Sequence, residues 1–268
     1  DGLVMKIYTN DVDGKPIATT GNNVLPFGFY RIVETNGNAS YGNADWAQDF
    51  QIRENGQMVA FGSAAEKWNE NLVKRGGMYI VKGDRDTGLS VPQGDATLAN
   101  TSYEIFNRSA KRVYVNGSWF GKGAKIMTIQ TSWDDSKNAY VAATGERVLP
   151  YGTYEIVEVG APQGYHKADY KHTFHITEQG QMVALKDAAS NYNVDAVFRG
   201  GVSVVKADKD LHESYAQGDG SLDGIKYNIV NRSANAVVVD RKSYAPGETV
   251  KVLTTKWNDE KRAYIAGT

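Results

Sequence analysis

Leu149-Pro150-Tyr151-Gly152-Thr153-Tyr154-Glu155-Ile156-Val157-Glu158-Val159-Gly160-Ala161-Pro162-Gln163-Gly164-Tyr165 is the stretch on which the fold turns. Its middle, Thr153 to Val157, mixes β-branched and aromatic residues with polar ones at a period near two, and turn formers stand on both sides. That is the pattern of a strand with one face in a core. The stretch is also not alone. Leu25-Pro26-Phe27-Gly28-Phe29-Tyr30-Arg31-Ile32-Val33-Glu34 is its counterpart 124 residues earlier, since 149 − 25 = 124.

The same period returns elsewhere. Glu54-Asn55-Gly56-Gln57-Met58-Val59-Ala60 becomes Glu178-Gln179-Gly180-Gln181-Met182-Val183-Ala184, and Asn107-Arg108-Ser109-Ala110 becomes Asn231-Arg232-Ser233-Ala234. Arg75-Gly76-Gly77 and Arg199-Gly200-Gly201 mark the joints. A fixed period of this kind is the signature of tandem modules. One complete module is expected over 76–199, flanked by the C-terminal part of one module, 1–75, and the N-terminal part of another, 200–268.

Short alternating spans such as Tyr79-Ile80-Val81 and Arg112-Val113-Tyr114-Val115, with 16 Tyr and 28 Gly in the chain, favour strands joined by turns. The fold class is all-β, a sandwich per module. The most helix-like span, Ser63-Ala64-Ala65-Glu66-Lys67-Trp68, is long enough for one turn only. Asn55-Gly56, its counterpart Gln179-Gly180, and Asn116-Gly117 are candidate hairpin turns that would set their flanking strands side by side.

Composition removes several classes of function. Net charge is −1, with 30 basic and 31 acidic residues and no long block of either sign, so nucleic acid is not an expected partner. No apolar run approaches the roughly 18 residues of a membrane helix, and the first residues lack a signal-peptide layout. Membrane insertion is not expected in this segment, and any export signal or anchor is expected outside it. His166, His172, His175 and His212 have no helical i, i+4 pairing and no cysteine to assist them, so no metal or cofactor is expected. Trp119, Trp133 and Trp257 fit core or inter-module packing better than a sugar-binding surface.

The stretch from Leu149 to Tyr165 resembles the signature of the Cna-B-type and related pilin-like domains of Gram-positive surface proteins, roughly P-G-x-Y-x-x-x-E-x-x-A-P-x-G-Y. Gly200-Gly201-Val202-Ser203-Val204-Val205-Lys206 is similar to the first strand of that family. Phe174-His175-Ile176-Thr177-Glu178-Gln179-Gly180-Gln181 is similar to a late strand and turn, and Val194-Asp195-Ala196 to the last strand. The span from about Arg112 to Arg147 is longer than the family minimum and matches weakly. The first module lacks the Ala-Pro pair at Asn36-Gly37-Asn38-Ala39-Ser40-Tyr41. The resemblance implies Ig-like, prealbumin-like sandwiches.

It also implies a chemistry. Such domains form a spontaneous amide between a Lys of the first strand and an Asp or Asn of the last, promoted by a Glu on a middle strand. Carried over, the set is Lys82, Asp195 and Glu158. A buried amine favours its neutral nucleophilic form and a buried glutamate its protonated form, which is what such an attack needs. The spacing from Glu158 to Asp195 equals that from Glu34 to Asn71, 37 residues, and Lys206 stands one full period after Lys82. Asn193, and Asn69 in the first module, lie two residues earlier on the same face and remain alternative acceptors.

The function expected from the resemblance is a structural repeat of an extracellular stalk, adhesin or pilus-like fibre on the bacterial surface or cell wall. It would be locked by intramolecular isopeptide bonds and would catalyse nothing beyond that single event. The expected partners are neighbouring modules of the same protein. Two alternatives stand beside it: a module that binds host matrix or glycan through the 112–147 insertion, and a subunit whose 200–268 pairs with 1–75 of another copy, head to tail.

Overall fold

A computed structural model describes residues 2–62, 69–187 and 189–268. The helix-like span at 63–68 lies outside the described residues. By internal packing the chain divides into 1–74 and 75–268, each treated on its own below.

In the first unit, β1 (Asn10–Val12) pairs with β2 (Lys15–Ile17), and β3 (Gly28–Val33) pairs antiparallel with β4 (Ala47–Ile52). The Tyr30 hydroxyl donates to the Pro26 carbonyl at 2.8 Å.

In the second unit, residues 75–197 supply β5 (Arg75–Asp84), β6 (Ser102–Asn107), β7 (Val113–Val115), β8 (Ser118–Phe120), β9 (Lys125–Gln130), β10 (Ser132–Asp134) and β11 (Ala139–Ala143). Then come β12 (Leu149–Pro150), β13 (Gly152–Gly160), β14 (Tyr165–His166), β15 (Lys171–Ile176), β16 (Met182–Lys186) and β17 (Asn193–Val197). One sheet runs β10-β11-β5-β17-β14, with β12 and β16 also paired to β5; the other runs β15-β13-β6-β9. The quoted stretch is thus a two-residue strand, a turn, and the long β13 of the second sheet.

Successive side chains of a strand point to opposite faces, so every second residue shares a fate. Met78, Ile80, Lys82 and Asp84 form one such row on β5, all fully buried. Tyr154, Ile156 and Glu158 form another on β13, and Tyr103, Ile105 and Asn107 a third on β6. The apolar members of these rows meet Leu149, Phe174 and Ile176 in the core between the sheets. The phase that places Ile80 and Ile156 in the core therefore also places Lys82 and Glu158 there.

β17 returns beside β5 in parallel, with Asn193 opposite Lys82 and Asp195 opposite Asp84. First and last strands of the module are neighbours in one sheet, and β13 faces them from the other.

Residues 203–267 repeat the first half of this plan: β18 (Ser203–Lys206), β19 (Lys226–Val230), β20 (Val237–Val239), β21 (Lys242–Tyr244), β22 (Thr249–Thr254), β23 (Lys256–Asn258) and β24 (Ala263–Gly267). Lys206 pairs with Tyr264 as Lys82 pairs with Tyr140. The Ser214 hydroxyl donates to the Lys206 carbonyl as Ser90 does to that of Lys82, both at 2.6 Å.

The turn expectations divide. Asn116 and Gly117 both have positive φ, 47° and 82°, and close the β7–β8 hairpin. At 179–180 only Gly180 is left-handed, with φ 72°, and the turn carries the chain from β15 in one sheet to β16 in the other. The expected side-by-side pairing is wrong there, because a two-residue hairpin of the I′ type needs positive φ at both positions. Trp119, Trp133 and Trp257 are 57%, 46% and 44% exposed, so the expectation of core packing is also corrected. Trp119 lies on the β7–β8 hairpin, Trp133 on the edge strand β10 of the first sheet, and Trp257 on β23.

Candidate functional site

Lys82, Glu158 and Asp195 converge where β5, β13 and β17 meet, and their side chains have no exposed surface. Lys82 Nζ donates to Glu158 Oε2 at 2.9 Å and lies 2.7 Å from Asp195 Oδ1. The Ala168 backbone N–H donates to the same Asp195 oxygen at 2.9 Å. Asn193, opposite Lys82 in the ladder, gives one amide hydrogen bond to Glu158 Oε2 at 2.8 Å and one to the Tyr103 hydroxyl at 2.6 Å.

Two carboxylate oxygens, Glu158 Oε1 and Asp195 Oδ2, are buried without a hydrogen-bond partner among the described residues. Unsatisfied buried acceptors are costly. Carrying a proton is the way a buried carboxyl group lowers that cost. The electrostatics agree: burial pushes the Glu158 carboxyl above its ordinary range and the neighbouring Asp195 adds to that, while Lys82 and the Asn193 hydrogen bond pull against it. Burial also drives the Tyr103 phenol well up, so it stays a neutral acceptor and donor. The arrangement sets one amine against two carboxyl groups, Asp195 and a Glu158 that burial biases toward its protonated form, and amide formation between Lys82 and Asp195 calls for a proton carrier of that kind.

The two acceptor candidates are distinguished by their surroundings. Lys82 Nζ lies against Asp195, whereas Asn193 turns its NH₂ group toward Glu158. Tyr103 was not legible as a member of the site. Its inward phase on β6 and its counterpart Tyr227 one period on were visible, but that it stands opposite Glu158 follows only from the β6–β13 register.

In the first unit, Glu34 Oε1 accepts from Asn71 Nδ2 at 2.8 Å and Glu34 Oε2 from Asn69 Nδ2 at 3.1 Å. Asn71 Oδ1 is buried without a partner among the described residues. These three side chains are brought together with no lysine among them. Lys206 stands half-buried on β18 in the other unit.

Against known proteins, the decisive finding lies in the central module. Residues 91–189 match the SpaA prealbumin-like fold domain. The match includes Tyr103 and Glu158 and stops short of Lys82 on one side and Asn193 and Asp195 on the other. The Bacillus anthracis TIE protein is similar in structure over 98% of this chain, with TM-score 0.53 and 20% identity. The chain spans 37% of that protein's structure. A streptococcal ancillary pilin (TM-score 0.30, 14% identity, 90% of this chain and 62% of that one) shows weaker likeness. So does the minor pilin GBS52 of Streptococcus agalactiae (0.29, 17%, 70% and 66%). Both fall below the level at which a shared fold can be argued. No curated protein sequence matches the chain. The described residues are all-β, and 91–189 has the prealbumin-like fold.

Proposed function

We propose that this chain is a load-bearing stretch of a Gram-positive surface stalk, adhesin or pilus-like fibre, with 76–199 as its complete repeat and a Lys82–Asp195 isopeptide bond as its lock. The carrying observation is the position of Lys82 Nζ, 2.7 Å from Asp195 Oδ1 and 2.9 Å from Glu158 Oε2, in a site closed to solvent. In the reaction a bond forms from Lys82 Nζ to Asp195 Cγ, and one C–O bond of Asp195 breaks. The ammonium group first gives one proton to Asp195, which frees the lone pair that attacks, and the Asp195 oxygen leaves as water. Glu158 lends its proton to the departing oxygen and recovers one from Lys82, so it ends unchanged. The site is consumed by its own product and turns over no substrate. In the first module, Asn71 beside Glu34 is the equivalent acceptor, with ammonia as its leaving group.

Joining first strand to last changes how the module bears load. Tension entering at β5 leaves at β17 through covalent bonds, and the 113 residues between Lys82 and Asp195 (195 − 82) are shielded. Single-molecule pulling tests this. The native chain should show no release of the 82–195 loop, whereas Lys82→Ala should release roughly 370–410 Å, at about 3.3–3.6 Å per residue. Release of that length from the native chain contradicts the proposal.

A second function is favoured by one observation. Trp119 is exposed on the β7–β8 hairpin, with the Arg112 guanidinium 4.3 Å from its ring centroid and Tyr114 packed beside it at 5.1 Å. An aromatic and cationic platform of this kind suits a glycan or matrix protein. Binding to immobilised ligands that disappears in Trp119→Ala supports it, and unchanged binding opposes it.

A further inference from the structure

We propose that Asn193 is a positioning residue for the Lys82–Asp195 bond: it clamps one oxygen of Glu158 so that the acidic proton is carried on the other, and Tyr103 clamps Asn193. The inference rests on the proposed bond and adds to it a residue that sequence reasoning held open as a competing acceptor.

The argument begins with donors and acceptors. Glu158 Oε2 receives two hydrogen bonds, from Lys82 Nζ and from Asn193 Nδ2, which occupy its two lone pairs. A proton on this carboxyl group therefore belongs on Oε1, the buried oxygen without a partner. Asp195 has the complementary pattern. Its Oδ1 takes the Ala168 N–H and faces Lys82, and its Oδ2 is the other buried oxygen without a partner. With Asn193 in place, the proton of Glu158 is limited to Oε1. Without it, Oε2 regains a free lone pair, and the carboxyl group can rotate or carry its proton on the wrong side.

Asn193 is itself held. Its two amide hydrogens are committed, one to Glu158 and one to Tyr103, whose hydroxyl is buried beside it. With the acidic proton on Oε1, Oε2 accepts and does not donate, so the side of the amide that faces it is the NH₂ group. The electrophilic carbonyl of Asn193 is thereby turned from the reacting centre, which accounts for Asp195 being the acceptor.

A second copy of the contact supports a role that is independent of the lysine. Asn69 Nδ2 donates to Glu34 Oε2 at 3.1 Å in the first unit, where no lysine accompanies the pair. The contact recurs at the 124-residue period.

The test follows water loss by intact mass as the chain is refolded from an unreacted denatured state, over a range of pH. Wild type should end one water lighter; if it does not, the bond itself is absent and the underlying proposal fails. Given that loss, Asn193→Ala should fold by circular dichroism yet react at least about tenfold more slowly, the scale expected when a catalytic group loses its orientation. Asn193→Asp keeps the shape should the smaller side chain disturb folding. It should be slow at neutral pH, where its carboxylate cannot donate to Glu158, and should recover as acid restores a donor. Tandem mass spectrometry should still map the acceptor to Asp195. Tyr103→Phe should slow the reaction by less than Asn193→Ala. Wild-type rates and pH profile in folded Asn193→Ala, or in Asn193→Asp at neutral pH, overturn the proposal.

Discussion

Lys82 shares its face of β5 with Met78 and Ile80, and that periodicity is enough to bury an amine where a hydrocarbon would otherwise sit. A buried charge set is costly to break, since removing one partner of such a set typically loses about 3–5 kcal/mol. Glu158→Ala should therefore do two things. It should abolish the water loss, leaving Lys82 and Asp195 unlinked, and it should lower the stability measured by denaturant unfolding by a few kcal/mol, about the amount just given. The pH dependence has a definite sign. Glu158 is raised above its ordinary range, chiefly by burial, so its protonated form favours the folded state. In Lys82→Met, which cannot form the bond, stability should be greatest in acid and should fall as pH rises through the elevated Glu158 midpoint. A pH series of urea melts checks this, and a stability that rises over that window contradicts it. At this scale Lys82, Glu158 and Asp195 were named through the family resemblance, and the 37-residue and 124-residue spacings agreed with it. Tyr103 and the donor role of Asn193 could not be named in this way, because both depend on which residues face each other across β6, β13, β5 and β17.

At the scale of elements, the Lys-bearing strand is held by close backbone contacts as well as by its ladder. A Cβ added at Gly77 would collide with the Gly145 carbonyl oxygen, and one at Gly76 would come within 2.6 Å of the Gln181 carbonyl oxygen. Neither obstacle is a flexible side-chain end. Gly77→Ala should accordingly destabilise the module by about 1–3 kcal/mol, as overpacking does, and thermal melting of that single variant checks it. A melting temperature equal to wild type would show that the strand has room to shift. The long strands were legible because apolar and polar residues alternate over five or more positions. The 179–180 turn was not, because a glycine after a polar residue looks alike whether it closes a hairpin or moves the chain between sheets. Only the φ at the residue before it separates the two.

For the molecule as a whole, the 124-residue recurrence was legible in the sequence, while the hydrogen bonds that tie 75–199 to the residues after it were not. Gln93 gives its amide hydrogens to the buried carboxylate of Asp84 and to Asp86, and its carbonyl oxygen accepts the Val238 N–H of the next module at 2.7 Å. The Asp86 carboxyl, held below its ordinary range first by Gln93 and then by Arg199, pairs with the Arg199 guanidinium at 2.6 Å. Arg199 also donates to the Val238 carbonyl, as Arg75 donates to that of Tyr114 one period earlier. Composition does not show the joint, because Gln93 and Val238 are 145 residues apart and Asp86 and Arg199 113. Gln93→Ala should speed hydrogen exchange at the Val238 amide while leaving the water loss of the central module intact; unchanged protection at Val238 would mean that the joint is held by other contacts.

A bond between Lys82 and Asp195 would close a loop of 113 residues, which on a chain-entropy scale is worth on the order of 4–5 kcal/mol. Its presence is decided by the intact mass of the purified, fully denatured chain, followed by sequencing of the peptides that remain joined after proteolysis. The expected finding is a chain one water lighter than its sequence, with a branched peptide linking Lys82 to Asp195 and no such loss in Lys82→Ala. A full sequence mass with the two peptides separate would contradict it.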